Sequence, residues 1–318
     1  MGGRQERRTQ AVRKIIALLM LLISTACYAS SADENFRSAK RADIYRPDKS
    51  GDKLLQSLIS EYAPEFSHSE YIDNSGMKLP FMVYVPENYS ADKKFPVVFF
   101  IADASSAGKD ANYSLTQGLG GLIWCRNDCV VIVPCYPEIV LDDHNGFTES
   151  PYVELTGRFV KWAVKNYPAD ESRIYATGQS MGCMTFLVLA AKYTDMFTAC
   201  MFVSGQWDIN ALKGLLSQKF VYVASAGDPK ASAGMNEVID MFRNDGSKNF
   251  IVEKGVNAKA PGLSFMRWHP VYFIMFRKGS TLPAMTDGTF SEHMSSFDYA
   301  YRTEAIREWL LAQKKEAE

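Results

Sequence analysis

A serine between two glycines gives the clearest chemical signal in the sequence. The segment Gly178-Gln179-Ser180-Met181-Gly182 fits the pattern G-x-S-x-G, in which a serine stands on a sharp turn between a strand and a helix. The strand-like run 173–177 precedes it, and the apolar run 184–191 follows it. Glycines suit this spacing because larger side chains two residues from the serine would collide in so tight a turn. We therefore predict that Ser180 is a nucleophile, with an ordinary helix N-cap serine as the alternative.

A nucleophilic serine needs a base that takes its proton, and the sequence holds four histidines: His68, His144, His269 and His293. In chains with this serine pattern the acid and then the histidine follow the serine, which disfavours His68 and His144. His293 comes after the strand-like run 271–276 and before the predicted last helix, whereas His269 comes before that run. We predict His293 as the base and keep His269 as the alternative.

The acid that orients the histidine is expected in a loop after a later strand. The run 220–224 ends in Ser225-Ala226-Gly227-Asp228, which places Asp228 in such a loop. Asp228 would accept a hydrogen bond from the proton-bearing nitrogen of His293 and so fix its tautomer. Asp208, after the preceding strand, is the alternative, and either carboxylate is also suited to a turn or a helix cap.

The elements that position these residues follow a regular alternation from residue 96 onward. The strand-like runs are 97–101, 130–135, 174–177, 200–204 and 220–224, and the helical patterns are 152–166, 181–193, 209–217, 232–243 and 297–312. Such alternation is typical of a mostly parallel sheet with helices on both faces, so we predict an α/β fold.

An antiparallel hairpin is predicted ahead of this alternation. The strand-like runs 69–73 and 81–85 lie on either side of the turn signal Asn74-Ser75-Gly76. Pro80 has no N–H to donate, so we expect the second strand to pair fully only from Phe81 onward.

Residues 1–29 have the order of a secretory signal peptide. Basic side chains are followed by the apolar run 15–23 and by small residues. The run is too short to span a bilayer, which takes about 20 residues. We predict export, with a buried N-terminal helix as the alternative. Cleavage after Ala29 would release a soluble protein, whereas the imperfect lipoprotein signal Ser24-Thr25-Ala26-Cys27 would place a lipid anchor on Cys27; both remain open.

The rest of the chain is predicted to hold one domain. Residues 30–65 are expected to form an N-terminal arm with a short helix over 52–62, and residues 66–318 the domain itself. Within it, residues 255–290 hold several glycines and prolines around the run 271–276. A segment of this kind is more often a functional loop or cap than a plain connection.

Charge and cysteine content limit the partners. The formal charge is −1 for 318 residues and −5 without residues 1–29. The chain has no excess of positive charge that would attract a phosphate backbone. We therefore predict a small or neutral partner and no nucleic acid. Cys125 and Cys129 bracket a polar turn and are candidates for a disulfide, while Cys135, Cys183 and Cys200 are expected to be buried. No cysteine and histidine clustering predicts a metal, and no glycine-rich phosphate loop predicts a cofactor.

Several motifs resemble those of a known family. The segments that carry the resemblance are 76–86, 173–182, 293–298 and Trp309-Leu310. Over about residues 66–313 the chain is similar to α/β-hydrolase esterases related to the polyhydroxybutyrate-depolymerase-like and prolyl-oligopeptidase-like groups. The resemblance implies an α/β-hydrolase fold and the hydrolysis of an ester or amide by Ser180, Asp228 and His293.

One segment departs from the family pattern. Such enzymes usually carry His-Gly at the end of the strand before the first helix, where this chain has Ala102-Asp103-Ala104-Ser105-Ser106. Backbone N–H groups form the oxyanion hole, so this chain can form one without His-Gly. The geometry of the hole is not fixed by the sequence. We expect the N–H of Met181 as one donor and that of Ala104 or Ser105 as the other.

The predicted reaction is a two-step acyl transfer on small or carbohydrate-linked carboxylic esters. The residues expected to line the substrate pocket are Gln117, Trp124, Tyr136, Gln179 and Trp207. One alternative is a serine peptidase, although the roughly 65 residues before the fold cannot supply the large extra domain that selects peptides. The other is an exported binding protein or lipoprotein that keeps the fold without turnover.

Overall fold

The computed structural model describes residues 49–88, 92–144, 146–263, 266–282 and 291–316. These residues belong to one compact unit, 45–318. The predicted leader 1–29 with Cys27, and the arm as far as residue 48, lie outside the described residues.

A mostly parallel sheet forms the centre of the fold. Its strands are β1 Ser67–Ile72, β2 Lys78–Tyr84, β3 Phe95–Ile101, β4 Val130–Pro134, β7 Ala169–Gln179, β8 Ala199–Val203, β9 Phe220–Ser225, β10 Phe250–Val256 and β11 Val271–Phe276, and a separate ribbon holds β5 Leu141–Asp142 and β6 Thr148–Glu149. Among the described residues the sheet order is β1-β2-β4-β3-β7-β8-β9-β11-β10. β2 pairs antiparallel with β1 and β4, and the other neighbours pair parallel. The predicted parallel sheet and N-terminal antiparallel hairpin are confirmed.

Helices cover both faces of this sheet, as predicted. They are α1 Lys53–Tyr62, α2 Ala111–Thr116, α3 Leu119–Leu122, α4 Tyr152–Asn166, α5 Met181–Lys192, α6 Pro229–Asn244, α7 Glu292–Arg302 and α8 Glu304–Ala312. Side chains of the central strands point alternately into two buried clusters, with Phe99 in one and Phe100 in the other. Helices α4, α5 and α6 pack in the first cluster, and α1, α2, α3, α7 and α8 in the second. Over the described ranges, none of the helices combines the length and the apolar composition needed to cross a membrane.

The hairpin begins earlier than predicted. β2 starts at Lys78 and includes Pro80, which lies opposite Glu70 of β1. The carbonyl of Pro80 accepts from the N–H of Cys135 at 2.8 Å. Since the N–H and C=O of one residue point to the same side of a strand, the missing N–H of Pro80 faces the end of β4. Pairing with β1 is therefore intact at Pro80.

The carboxylate of Asp73 fixes the turn of this hairpin. Its Oδ1 accepts from the hydroxyl of Ser75 at 2.6 Å and from the backbone N–H groups of Ser75 and Met77 at 2.9 and 3.0 Å. Its Oδ2 accepts from Arg158 of α4 at 2.6 Å. These bonds lower the pKa of Asp73 to about 2, and the bond from the Ser75 hydroxyl has the largest effect.

Three predicted elements differ in the structure. The helical pattern 209–217 forms two 3-10 helices, Ile209–Ala211 and Lys213–Ser217. The last helix starts earlier than residue 297 and is interrupted at Thr303 between α7 and α8. The segment 255–290 contains the end of β10 and all of β11, so it is not a single excursion from the sheet; residues 264, 265 and 283–290 lie outside the described residues.

The five cysteines of the described residues are all free and buried. Cys125 and Cys129 form no disulfide in this structure. Burial raises the pKa of each thiol, so all five behave as small apolar side chains.

Candidate active site

Ser180 stands on the turn between β7 and α5. β7 ends at Gln179 and α5 begins at Met181, while Ser180 adopts φ 52° and ψ −116°. Residues other than glycine rarely have a positive φ, and such strain is common at functional sites. The N–H of Ser180 donates to the carbonyl of Val203 in β8 at 3.0 Å. The strained residue is thus held in place by the sheet.

Gly178 and Gly182 lie where no Cβ fits. A Cβ on Gly182 would be 2.0 Å from the carbonyl oxygen of Ile101 at the end of β3, and one on Gly178 would be 2.4 Å from the carbonyl carbon of Gly182. Both obstacles are backbone atoms, which move only if a strand or helix moves. The close approach of the turn to β3 explains the glycine spacing.

Side chains from three elements meet at this turn. The Nε2 of His293 lies 2.8 Å from the Oγ of Ser180, and its Nδ1 lies 2.5 Å from the Oδ2 of Asp228. Because an ionised carboxylate only accepts hydrogen bonds, Nδ1 of the neutral ring carries the proton and Nε2 accepts from the Ser180 hydroxyl. The side chain of Asp228 is 4% exposed and that of His293 is 28% exposed. The structure therefore brings together the three residues singled out from the sequence.

His293 lies inside the first turn of α7, where the sequence predicted a loop. Ser291 caps the helix, and its hydroxyl accepts from the N–H of His293 at 3.2 Å. The ring of Phe297, one turn further, packs edge-on against the imidazole with centroids 5.2 Å apart. The helix and this aromatic contact restrict the orientation of the imidazole in addition to Asp228.

The alternative acid and base have other partners. Asp208 caps the short helix after β8 by accepting from the N–H of Asn210 at 3.0 Å. His269 lies before β11 and is half-buried, and its Nδ1 is 3.1 Å from the Oδ1 of Asn249. Neither side chain belongs to the group around Ser180.

The structure narrows the predicted oxyanion donors. Met181 is the first residue of α5, where N–H groups have no partner within the helix. The N–H of Ser105 donates to the Oδ1 of Asp103 at 3.0 Å, so it is not available as the second donor. This removes Ser105 from the expected pair, because its N–H is already used within its own turn. Ala104 stays a prediction.

Asp103 stands at the end of β3, where the resemblance implies His-Gly. It is 2% exposed, and its Oδ2 accepts from the Nε2 of Gln179 at 2.9 Å. Because Gln179 directly precedes Ser180, this bond ties the loop after β3 to the nucleophile turn. Gln179, expected to bind substrate, is itself 3% exposed and bonded to Asp103.

Two aromatic residues that we expected in the substrate pocket belong to the core. Trp124 is fully buried, and its Nε1 donates to the carbonyl of Gly120 at 2.7 Å. The hydroxyl of Tyr136 shares a hydrogen bond of 2.8 Å with Thr156, and burial raises its pKa. Both rings pack against neighbouring aromatic side chains, so the prediction is corrected. Of the other two candidates, Trp207 is also buried, at 3% exposure, and Gln117 is partly buried at the end of α2.

One exposed aromatic ring, which no sequence pattern marks, packs against Trp207. Phe147 is 52% exposed, and its ring centroid lies 5.0 Å from that of the buried Trp207. Trp207 follows β8, the strand whose last residue, Val203, accepts from Ser180. A lone phenylalanine in a polar loop has no periodicity to mark it, so only the fold places it beside Trp207.

The residue next to Trp207 belongs to a hydrogen-bonded polar group. The Oδ2 of Asp143 accepts from Gln206, the neighbour of Trp207, and from the Nζ of Lys230 in α6 at 2.9 Å. Within the described ranges, Asp142, Asp143 and His144 also form a group whose possible metal-ligand atoms lie within 4.8 Å of one another. In this group Asp142 accepts from the N–H of His144, and Asp143 accepts from Gln206 and Lys230.

Comparisons of sequence support the expected family resemblance. Residues 144–244 match the family model described as "Putative esterase". The chain is 40% identical over 162 residues to the "Probable acetylxylan esterase A" of Aspergillus clavatus, a match that covers 49% of this chain and 52% of the relative. The chain thus spans about half the length of this curated relative.

Comparisons of structure confirm the α/β-hydrolase fold. A thermostable esterase superposes with a TM-score of 0.64 at 19% identity, covering 79% of this chain and 64% of that one. A mutant of the feruloyl esterase module from Clostridium thermocellum gives a TM-score of 0.50 at 13% identity, covering 80% of this chain and 90% of the module. At such identities the likeness concerns the fold alone.

Proposed function

We propose that this chain is a serine esterase that hydrolyses carboxylic esters through an acyl-enzyme on Ser180. The observation that carries the proposal is the run of two hydrogen bonds from Ser180 through His293 to Asp228. A serine hydroxyl is a weak nucleophile on its own, and this arrangement gives it a base and gives the base its correct tautomer.

In the first step the Oγ of Ser180 attacks the ester carbonyl while Nε2 of His293 takes its proton. The imidazolium that forms is stabilised by the carboxylate of Asp228, and it then protonates the departing alcohol. The negative oxygen of the tetrahedral intermediate accepts from the N–H of Met181 and from a second donor in the loop after β3, for which Ala104 is the candidate.

In the second step water attacks the acyl-enzyme. His293 takes a proton from the water, and the collapse of the second tetrahedral intermediate releases the carboxylic acid and restores Ser180. The exposed side of His293 leaves room for this water, since its side chain is 28% exposed while that of Asp228 is 4% exposed.

The substrate class is an ester of a carbohydrate. Support comes from the similarity to a protein named as an acetylxylan esterase and from the aromatic pair Phe147 and Trp207. The exposed face of Phe147 suits stacking on a sugar ring, and Gln206, the neighbour of Trp207, forms a polar group with Asp143 and Lys230.

The proposal is tested by release of nitrophenol from 4-nitrophenyl acetate and of acetate from acetylated xylo-oligosaccharides. The wild type is expected to turn over both, Ser180→Ala neither, and a fluorophosphonate is expected to label the wild type only. No turnover together with no labelling of Ser180 contradicts the esterase. Hydrolysis of peptide anilides without hydrolysis of esters would instead indicate a peptidase.

Export by residues 1–29 is the second part of the proposal. Its support is the order of basic, apolar and small residues in that segment. The mass and N-terminus of the protein expressed with this segment in a bacterial host provide the test. An N-terminus at Ser30 indicates a soluble exported form, a lipid-modified Cys27 indicates an anchored form, and an intact Met1 contradicts export.

A further inference from the structure

A buried carboxylate that the mechanism does not use lies next to the catalytic histidine. Glu292 is the first residue of α7 and is 7% exposed. Its Oε2 accepts from the hydroxyl of Ser225 at 2.5 Å and from that of Thr281 at 3.3 Å, and its Oε1 accepts from the N–H of Gly279 at 2.8 Å. Both oxygens are therefore satisfied within the protein.

The donors come from two separate segments. Ser225 ends β9 and begins the loop that leads to Asp228, whereas Gly279 and Thr281 follow β11. β9 and β11 are neighbours in the sheet. Glu292 thus joins the loop of the catalytic acid, the turn after β11 and the helix that carries His293.

The acid loop is shaped to admit this carboxylate. A Cβ on Gly227 would lie 1.8 Å from the Oε1 of Glu292, so a side chain at that position would displace it. Gly227 directly precedes Asp228, and Glu292 directly precedes His293. The segment that carries Asp228 and the segment that carries His293 therefore touch directly, at the residue before each catalytic side chain.

The partners of Glu292 found among the described residues are neutral. Burying a carboxylate without a cationic partner is costly, and hydrogen bonds offset only part of that cost. The chain therefore keeps a costly buried carboxylate at the point where the acid loop, the turn after β11 and the helix of His293 meet.

We propose that Glu292 is a positioning residue that keeps Asp228 and His293 at hydrogen-bond distance, an inference that rests on the proposed esterase function. Without it, the acid loop and α7 lose a link next to the triad, and the bond of 2.5 Å between Nδ1 and Oδ2 has to bear more of their alignment. The imidazole would then sample orientations in which Nε2 no longer faces Ser180. Glu292 does not belong to the group of side chains that handles the substrate, so its loss affects the chemical step and not substrate binding.

The test compares Glu292→Ala, Glu292→Gln and Ser225→Ala with the matched control Asp298→Asn. Asp298 lies on the same helix and is also buried; it accepts from the N–H of Leu119 at 2.9 Å and pairs with Lys49 at 2.5 Å, and neither of these partners belongs to the acid loop. Glu292→Ala is expected to lower kcat on 4-nitrophenyl acetate by about ten- to a hundredfold with KM changed by less than about twofold. Glu292→Gln is expected to recover most of kcat, because its amide still accepts from Gly279 and can donate to Ser225. Ser225→Ala, which removes one donor, is expected to give a smaller loss.

A substrate-free measurement separates this inference from the esterase proposal. The proton shared by His293 and Asp228 is expected far downfield in the proton NMR spectrum of the wild type, Glu292→Gln and Asp298→Asn. It is expected to shift or broaden in Glu292→Ala; if that variant does not fold, the same comparison is made on Ser225→Ala.

An unchanged kcat and an unchanged downfield proton in the folded variants overturn the positioning role. Equal losses of kcat in Asp298→Asn also overturn it, since the effect would then be general to α7. A wild type that shows the downfield proton but hydrolyses no ester sinks only the esterase proposal, and the NMR comparison still decides the role of Glu292.

Discussion

Asp228 gives one carboxylate oxygen to His293 and the other to the start of a helix. Its Oδ2 lies 2.5 Å from the Nδ1 of His293, and its Oδ1 accepts from the N–H of Ala231 in the first turn of α6 at 3.2 Å. From the sequence, a catalytic acid and a helix cap are alternative roles for this residue. In the structure both arrangements are present at once, so the acid is held by the helix that it caps.

Substitutions of Asp228 are expected to separate these two contacts. Asp228→Asn keeps a good N-cap but cannot fix the required tautomer, so kcat should fall about 10³- to 10⁴-fold with little change in thermal stability. Asp228→Ala should lose activity as well and also cost about 1 kcal/mol of unfolding free energy. Ester hydrolysis and chemical denaturation measure the two effects; equal stability of both variants would show that the cap contributes nothing.

Gly182→Ala is expected to disrupt the nucleophile turn. The new Cβ would meet the carbonyl oxygen of Ile101 at 2.0 Å, and relieving this overlap must move β3 or α5 at a cost of about 1–3 kcal/mol or more. Activity should fall further than stability, because the displaced turn carries Ser180. Gly51→Ala, with nothing within 4 Å of the added carbon, is the control and should change stability by less than about 0.5 kcal/mol. A fully active Gly182→Ala enzyme would be inconsistent with the packing described.

Asp73 is expected to make the stability of the hairpin depend on acid pH. Its pKa is lowered from 3.8 to about 2 in the folded chain, so the folded state favours the ionised form. The stabilisation is complete above the ordinary value of 3.8 and is lost as the pH falls towards about 2. The difference in unfolding free energy between the wild type and Asp73→Asn should therefore shrink over this range. A difference that stays constant from pH 5 to about 2 would show that Asp73 does not titrate there.

Phe147→Ala is expected to weaken binding of carbohydrate esters selectively. Loss of the stacking contact should cost about 1 kcal/mol of binding free energy and raise KM for acetylated xylo-oligosaccharides about fivefold. KM for 4-nitrophenyl acetate should not change. Ile72, another exposed large apolar residue at 50% exposure, lies on β1 at the far edge of the sheet. Ile72→Ala should leave both KM values unaltered, and an equal rise for both substrates in Phe147→Ala would argue against a sugar-binding role.

Local patterns in the sequence were enough to place most strands and the nucleophile turn. β11 and α4 were predicted with the bounds that the structure has, because each combines a regular pattern with clear end signals. β10 was missed since its sequence contains Glu253 and Lys254 and its position at the sheet edge leaves it partly exposed. A strand of that kind lacks the continuous apolar run that marks its buried neighbours.

The parts of the site that escaped prediction depend on contacts between distant segments. From the sequence, Glu292 is a polar residue of the loop before the predicted last helix, and only the fold brings Ser225, 67 positions away, to its carboxylate. Trp124 reads equally well as pocket lining or core, and only packing against α7 decides between them. Ser105 is the exception: Asp103 two residues earlier is a local turn signal that already predicts a hydrogen bond to its N–H.

The two faces of the sheet divide the catalytic residues between them. Ser180 and Asp228 are carried at the starts of α5 and α6, which pack in one buried cluster, whereas His293 is carried by α7, which packs in the other. A folding intermediate with helices docked on one face alone would hold an incomplete triad. Activity therefore returns during refolding only when helices have docked on both faces of the sheet. Its recovery should lag behind the recovery of helical circular dichroism.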